Sequence, residues 1–243
     1  MNSNIFERHE LKYLIDSGQR RRLENAMRGQ MQPDVYGEST ICSVYFDTAD
    51  FRLIRRSLEK PVYKEKLRLR SYGPVTADQK VFLELKKKYK GIVYKRRILL
   101  EEQEAMQFLL GRAEMKEHGQ IGREIAYFTR FYGELKPAVF ICCDRTAFAG
   151  TQQPDLRITF DKNIRWRTDH LRLTASPFGR QILPAGYSLM EIKTPAAIPL
   201  WLTSFLTKEH IMQTSFSKYG RAYQSMLRGE KSDEQRIGGV FCA

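Results

Sequence analysis

Five short segments of the chain alternate apolar residues with Arg, Lys or Glu at the period of a β-strand. They are Arg8-His9-Glu10-Leu11-Lys12-Tyr13, Lys66-Leu67-Arg68-Leu69-Arg70, Phe82-Leu83-Glu84-Leu85-Lys86, Leu156-Arg157-Ile158-Thr159-Phe160-Asp161 and Met190-Glu191-Ile192-Lys193. Side chains two apart on a strand share a face. Arg68 therefore lies with Arg70, Glu84 with Lys86, and Glu191 with Lys193. One amphipathic strand ordinarily belongs to an antiparallel sheet whose polar face meets water. Five such strands, with long charged residues where Thr, Ser and Gln would serve, describe a face with a task, because like charges opposed across a sheet are destabilising. Set side by side they form a surface crowded with cations and punctuated by carboxylates, which suits a polyanion and a divalent metal.

The same patterning predicts the remaining elements. Strands are expected over residues 8–15, 41–46, 63–72, 80–87, 92–99, 139–148, 156–161 and 187–193, with 165–173 an extended piece. Helices are expected from a Ser17 cap to Gly29, from Thr48 or Asp50 to Leu58, from Glu101-Glu102 to Leu110, and over 121–131, 199–209 and 218–228. Gly73-Pro74 marks a turn, and Pro195 stops the last strand. Many antiparallel strands with a few helices imply an α+β fold or a barrel decorated by helices. Closure would remove the sheet edges and create an interior for the charged faces. Arg145 stands at even spacing from Val139 and Ile141, so a bulge or a locally polar end is required there.

Composition narrows the partners. At 243 residues the chain can bury a sizeable core. Lys and Arg total 41 against 28 Asp and Glu, a net charge of +13, and the excess favours an acidic partner. Arg20-Arg21-Arg22 and Lys86-Lys87-Lys88 resemble nucleic-acid patches, but the first reads as a solvated helix face, and no nucleic-acid partner is expected. Cys42, Cys142, Cys143 and Cys242 form no C-x-x-C pair, and no signal peptide is visible, so a reduced, cytoplasmic protein is expected. The four histidines lack metal-ligand spacing, and no P-loop motif is present. No apolar run is long enough to span a bilayer, so a membrane partner would have to supply any anchor.

Eight segments, in order, resemble the VTC domain, the polyphosphate polymerase branch of the triphosphate tunnel metalloenzymes. They are Glu10-Leu11-Lys12-Tyr13, Val44-Tyr45-Phe46-Asp47-Thr48, Arg68-Leu69-Arg70-Ser71-Tyr72, Leu83-Glu84-Leu85-Lys86, Asp144-Arg145-Thr146-Ala147-Phe148, Arg157-Ile158-Thr159-Phe160-Asp161, Met190-Glu191-Ile192-Lys193 and Ser215-Phe216-Ser217-Lys218-Tyr219. The resemblance runs from about residue 6 to 223. It implies one tunnel domain over residues 1–228, an antiparallel eight-stranded β-barrel decorated by helices, followed by a polar tail over 229–243. It further implies metal-dependent transfer of the γ-phosphoryl group of a nucleoside triphosphate, ATP by expectation, to a growing polyphosphate chain.

Phosphoryl transfer depends on positioning and charge stabilisation more than on covalent help. Arg68 and Arg70 are expected to clamp phosphate oxygens, because guanidinium is planar, always charged and bidentate. Lys12, Lys86, Arg145, Arg157 and Lys218 are candidates for the same catalytic set, with Asp161 orienting a cation. Arg8, Glu84, Lys193, Ser217 and Tyr219 are candidate substrate contacts. Ser217 and Lys218 start a helix, where free amides favour an anion. By the resemblance Glu191 is the metal ligand, joined by Glu10 or Glu84, and a hard carboxylate suits Mn²⁺ or Mg²⁺. Each of these glutamates has an alternative as the partner of a neighbouring Lys or Arg. Related tunnel hydrolases carry E-x-E-x-K in the first strand, where this chain has Arg8-x-Glu10-x-Lys12. That exchange favours polyanion holding over water activation. A tunnel triphosphatase and a non-catalytic polyphosphate-binding module stay open as alternatives.

Overall fold

The computed structural model describes residues 9–90, 92–115, 118–195 and 197–229, with Tyr36 described by its backbone alone. Arg8, Cys242 and the expected polar tail beyond residue 229 lie outside the described residues.

The strands are β1 (His9–Asp16), β2 (Met31–Asp47), β3 (Tyr63–Tyr72), β4 (Lys80–Tyr89), β5 (Ile92–Glu101), β6 (Lys136–Gly150), β7 (Arg157–Arg167), β8 (Arg180–Gln181) and β9 (Tyr187–Thr194). The helices are α1 (Ser17–Ala26), α2 (Arg52–Leu58), α3 (Glu102–Leu109), α4 (Gly119–Tyr132), α5 (Leu200–Lys208) and α6 (Lys218–Leu227). The cap of α1 is Asp16, whose side chain accepts from the Gln19 amide while Gln19 returns a bond to the Asp16 backbone. Ser17, the expected cap, is the first helical residue.

Every strand pairing is antiparallel, in the order β1-β9-β7-β6-β2-β3-β4-β5, with β8 added to β7. Among the described residues no backbone ladder joins β5 to β1. The two ends nevertheless meet through side chains, for Lys86 on β4 donates to Glu10 on β1 across 3.3 Å. The sheet is therefore curled into an eight-stranded tunnel with the short β8 outside the main path, and its wall is not closed by backbone hydrogen bonds.

Register decides which face lines the interior. Tyr45 opposes Arg68, Arg68 opposes Glu84, and Glu84 opposes Arg97. On the other side Arg145 opposes Asp161, Thr159 opposes Glu191, and Glu191 opposes Lys12. Directly opposed residues share a face, so Lys12, Arg68, Glu84, Arg97, Arg145, Asp161 and Glu191 point to one interior. The outer face is apolar. Leu67, Leu69, Leu83 and Leu85 pack with Val44, Phe46 and Phe140 beneath α3 and α4. Ile15, Ile158, Phe160, Met190 and Ile192 pack against Leu23 and Met27 and the α5 residues Leu202 and Leu206. Each such side chain contributes about 1.5–3 kcal/mol by leaving water.

A third cluster lies on the inner face. There Tyr219, Ala222 and Tyr223 of α6, with Ile54 of α2, cover Tyr45, Val139, Ile141 and Leu189. This resolves the Arg145 spacing: alternation is kept, and the inner face turns apolar where α6 covers it. A register shift against β7 between Cys142 and Asp144 accompanies the change. Among the described residues no helix is long and apolar enough to cross a membrane.

Candidate functional site

The inner face holds three charged centres. At the first, Asp161 of β7 is fully buried and spends both carboxylate oxygens on cations. Arg145 of β6 donates through Nε at 2.6 Å and through a second nitrogen at 2.7 Å, and Lys218 at the start of α6 donates at 2.5 Å. Burial alone would raise the Asp161 pKa, but Lys218 and Arg145 outweigh it and hold the carboxyl well below its ordinary range. Asp161 thus orients two cations.

Glu84 of β4 anchors the second centre. Arg68 donates to it at 2.7 and 2.8 Å, Lys95 of β5 lies 2.6 Å from its other oxygen, and Arg70 stands at 3.9 Å. Burial pushes its pKa up, yet Arg68, Arg70 and Lys95 bring it down to about 2. Arg68 also donates to the Tyr45 hydroxyl at 2.9 Å, and Arg70 to Ser43 Oγ at 3.3 Å. Arg70 is the more lightly held of the two and keeps guanidinium valence for an anion.

The third centre combines lysines with two coupled carboxylates. Glu191 pairs with Lys193 at 2.7 Å, and Glu10 pairs with Lys12 at 3.1 Å and Lys86 at 3.3 Å. Burial raises both glutamates. For Glu191 the charges of Lys193, Lys12, Lys218 and Arg145 more than offset it; Glu10 is brought to about 2 by Lys86, Lys12 and Lys193 against the repulsion of Glu191. The two glutamates therefore feel one another and remain ionised together.

Lys66 is the exception in this set. Its amine donates to Ser217 Oγ at 2.9 Å, and among the described residues no carboxylate pairs with it. Burial, then Lys86, Lys12, Lys64 and Arg68, push its pKa down to about 7. An uncompensated cation at the start of α6 invites an anion.

Lys12, Arg68, Arg70, Lys86, Arg145, Lys193, Lys218, Glu10, Glu84 and Glu191 are thus brought to one interior. Arg157 shares the face, opposite Lys193, but pairs with Asp34 and is more exposed, which places it toward the rim. Three expected contacts are engaged within the fold. Glu84, expected to contact substrate or metal, is occupied by Arg68 and Lys95 and acts on the cations. Ser217 is the N-cap of α6, accepting from the Gly220 amide at 3.0 Å and from Lys66. Tyr219, expected to contact substrate, is buried against the Tyr45 ring with centroids 4.9 Å apart, and its hydroxyl donates to Asp47 at 2.8 Å. It holds α6 in place instead.

Sequence reasoning passed over Lys66 and Lys95. Both stand at inward positions of strands already identified, so the alternation could have found them. Their partners could not be read, since Ser217 lies 151 residues from Lys66.

A hard divalent ion fits the third centre. Glu10 and Glu191 supply two carboxylates, and opposite Glu191 the Thr159 hydroxyl oxygen is buried without a hydrogen-bond partner. Among the described residues no group of three or more His, Cys, Asp or Glu could hold an ion by itself. Mg²⁺-type sites commonly take one or two carboxylates and complete their shell with phosphate and water.

An antiparallel sheet curled around an inward face of opposed cations and carboxylates is the triphosphate tunnel architecture. The VTC domain model matches residues 7–227, and the chain belongs to the VTC domain family. It is 24% identical over 233 residues to subunit 4 of the vacuolar transporter chaperone complex of Trypanosoma cruzi (strain CL Brener), an alignment covering 77% of this chain. The match spans 28% of that relative's length. Among solved structures, a Bacillus halodurans protein described as an adenylate cyclase candidate is 16% identical, with a TM-score of 0.55 over 88% of this chain and 94% of its own. A Hippeastrum adenylyl cyclase candidate whose structure revealed a dominant triphosphatase activity is 18% identical, with a TM-score of 0.54 over 93% of this chain and 98% of its own. These two likenesses concern the fold.

Proposed function

We propose that this domain is a metal-dependent polyphosphate polymerase that moves the γ-phosphoryl group of a nucleoside triphosphate, ATP in the simplest case, onto the end of a polyphosphate chain. The reading rests on its family and on one observation above all: each buried acid of the inner face is paired with Lys or Arg, and these cations outnumber the acids. In the transfer, an oxygen of the terminal phosphate forms a bond to the γ-phosphorus, and the bond from that phosphorus to the β-phosphate bridging oxygen breaks. The nucleoside diphosphate leaves with the electron pair. A terminal phosphate is largely ionised at neutral pH, so its oxygen attacks without a general base. Water would need one tuned near neutrality, whereas burial, which raises these acids, is outweighed by cations that bring Glu84 and Glu10 to about 2 and Glu191 well below its ordinary range.

Arg68 and Arg70 hold phosphate oxygens from β3, and Lys66, Lys12 and Lys86 hold them from the α6 end. Arg145 and Lys218, fixed by Asp161, face charge that develops during transfer. Glu191 and Glu10 would hold Mn²⁺ or Mg²⁺, which when bound neutralises and orients phosphate oxygens. Arg157 and Lys193 would guide the chain near the rim, and Arg8, which lies outside the described residues, is kept as a candidate substrate contact on its sequence position alone. Complex partners, by analogy with a relative that is a subunit of a transporter chaperone complex, and a cytoplasmic setting belong to the same proposal.

The test is ³¹P NMR of the protein with ATP and Mn²⁺, with and without a short polyphosphate primer. A growing mid-chain phosphate signal with matching ADP is expected. Release of inorganic phosphate alone would assign a triphosphatase, the activity described for the Hippeastrum protein. Primer binding without turnover would leave a polyanion-binding domain.

A further inference from the structure

The inner face does not end in charge everywhere. On β3 the inward series runs Lys64, Lys66, Arg68, Arg70 and then Tyr72, a ring that is 59% exposed. Ile41 of β2 stands opposite Tyr72, and Phe82 of β4 stands opposite Arg70. Tyr72 and Phe82 meet at right angles, centroids 6.2 Å apart and planes at 86°. The Arg97 guanidinium of β5 lies 4.8 Å above the Phe82 ring, and Leu99, opposite Phe82, is 45% exposed. Two aromatic walls and a guanidinium thus form an open corner whose inner side leads straight to Arg70 and Arg68. Lys66, bonded to the cap of α6, lies six residues from Tyr72, roughly 20 Å at strand rise.

We propose that this corner of Tyr72, Phe82 and Arg97 is the platform for the base of the nucleoside triphosphate, and that it sets the direction in which the nucleotide enters, triphosphate first toward Arg70 and Arg68. The proposal rests on the phosphoryl-donor reading above. A flat π-system with an anion leading from it matches the corner in both respects, aromatic and cationic outside, with the guanidinium groups of Arg70 and Arg68 next within. An inorganic phosphate chain has no use for Tyr72. Stacking is tolerant of base identity because every base has a π-face. Purine nucleotides consequently bind with similar strength, and the larger purine ring binds better than a pyrimidine.

The test is isothermal titration calorimetry of the full chain with Mg²⁺, comparing the non-hydrolysable β,γ-imido analogue of ATP with inorganic triphosphate. Tyr72→Ala should weaken the nucleotide about tenfold, in line with the value of one stacked base. The same variant should leave inorganic triphosphate within about twofold, and Tyr72→Phe should restore the nucleotide affinity. Equal weakening of both ligands, or of neither, would overturn the platform. Wild-type protein that binds triphosphate but not the nucleotide would overturn it while keeping the basic tunnel. Failure to bind either ligand would remove the functional reading and the platform with it.

Discussion

Asp161 and Glu191 stand on neighbouring strands, β7 and β9, and face the same interior, yet their surroundings differ in kind. Both oxygens of Asp161 are bonded at 2.5–2.7 Å to Arg145 and Lys218. Glu191 has one close partner, Lys193, and a second carboxylate, Glu10, near enough to raise each other's proton affinity. A carboxylate whose lone pairs are spent on fixed cations is scaffold, because moving it would strand two buried charges. A pair of carboxylates kept ionised by flexible lysines can exchange those lysines for a divalent ion and phosphate oxygens. Glu84 belongs with Asp161 in this respect, and Glu10 with Glu191. On the proposed function, the tunnel divides its acids between holding the protein's own cations and meeting what enters.

The sharpest way to break the division is Asp161→Ala. It leaves Arg145 and Lys218 buried without their partner and should cost about 3–5 kcal/mol of stability, read by urea denaturation. A loss under about 1 kcal/mol would mean that Asp161 is not scaffold.

Lys66→Met probes the uncompensated amine. Burial and neighbouring lysines lower the Lys66 pKa from 10.5 to about 7. The folded state therefore binds fewer protons than the unfolded state between those values, so wild-type stability from this residue rises with pH across that window. Below pH 7 the charge is carried in the fold at its full cost. The variant should gain stability at pH 6, by about 1 kcal/mol or more, and the gain should shrink toward pH 10.5. Thermal melts at several pH values read it; a pH-independent difference would contradict the lowered pKa.

Tyr219→Phe is the mildest change. Losing the bond to Asp47 should cost about 1 kcal/mol and leave polyphosphate affinity unchanged. A clear loss of affinity would return Tyr219 to the ligand.

Much of this was legible in the chain. Strand alternation exposed the charged face, because a residue's face depends only on its own strand. It placed Arg68, Arg70, Lys86 and Glu191 together before any pairing was known. The first half of β2 was not legible: Pro33 and Gly37, with φ of 56°, interrupt the pattern, and the register shifts between Pro33 and Glu38. β7 was read as two pieces because Asn163, with φ of 49°, breaks the alternation where the register against β6 shifts. Partnership was the hidden part. Nothing local separates Glu84 from Glu191, for each stands two residues before a lysine on the same face, and only the strands across the tunnel decide which carboxylate is spent. Tyr219 adjoins Lys218 in sequence, but one step along a helix turns it toward the core and away from Asp161.

The most direct test of the account is Glu191→Gln, with turnover and polyphosphate binding measured side by side in the presence of Mn²⁺. Removing one carboxylate from the proposed ion site should lower turnover on the order of a thousandfold. Chain affinity should stay within about twofold, since the cations that hold phosphate are untouched. Equal loss of turnover and binding would contradict the account and make Glu191 scaffold like Asp161.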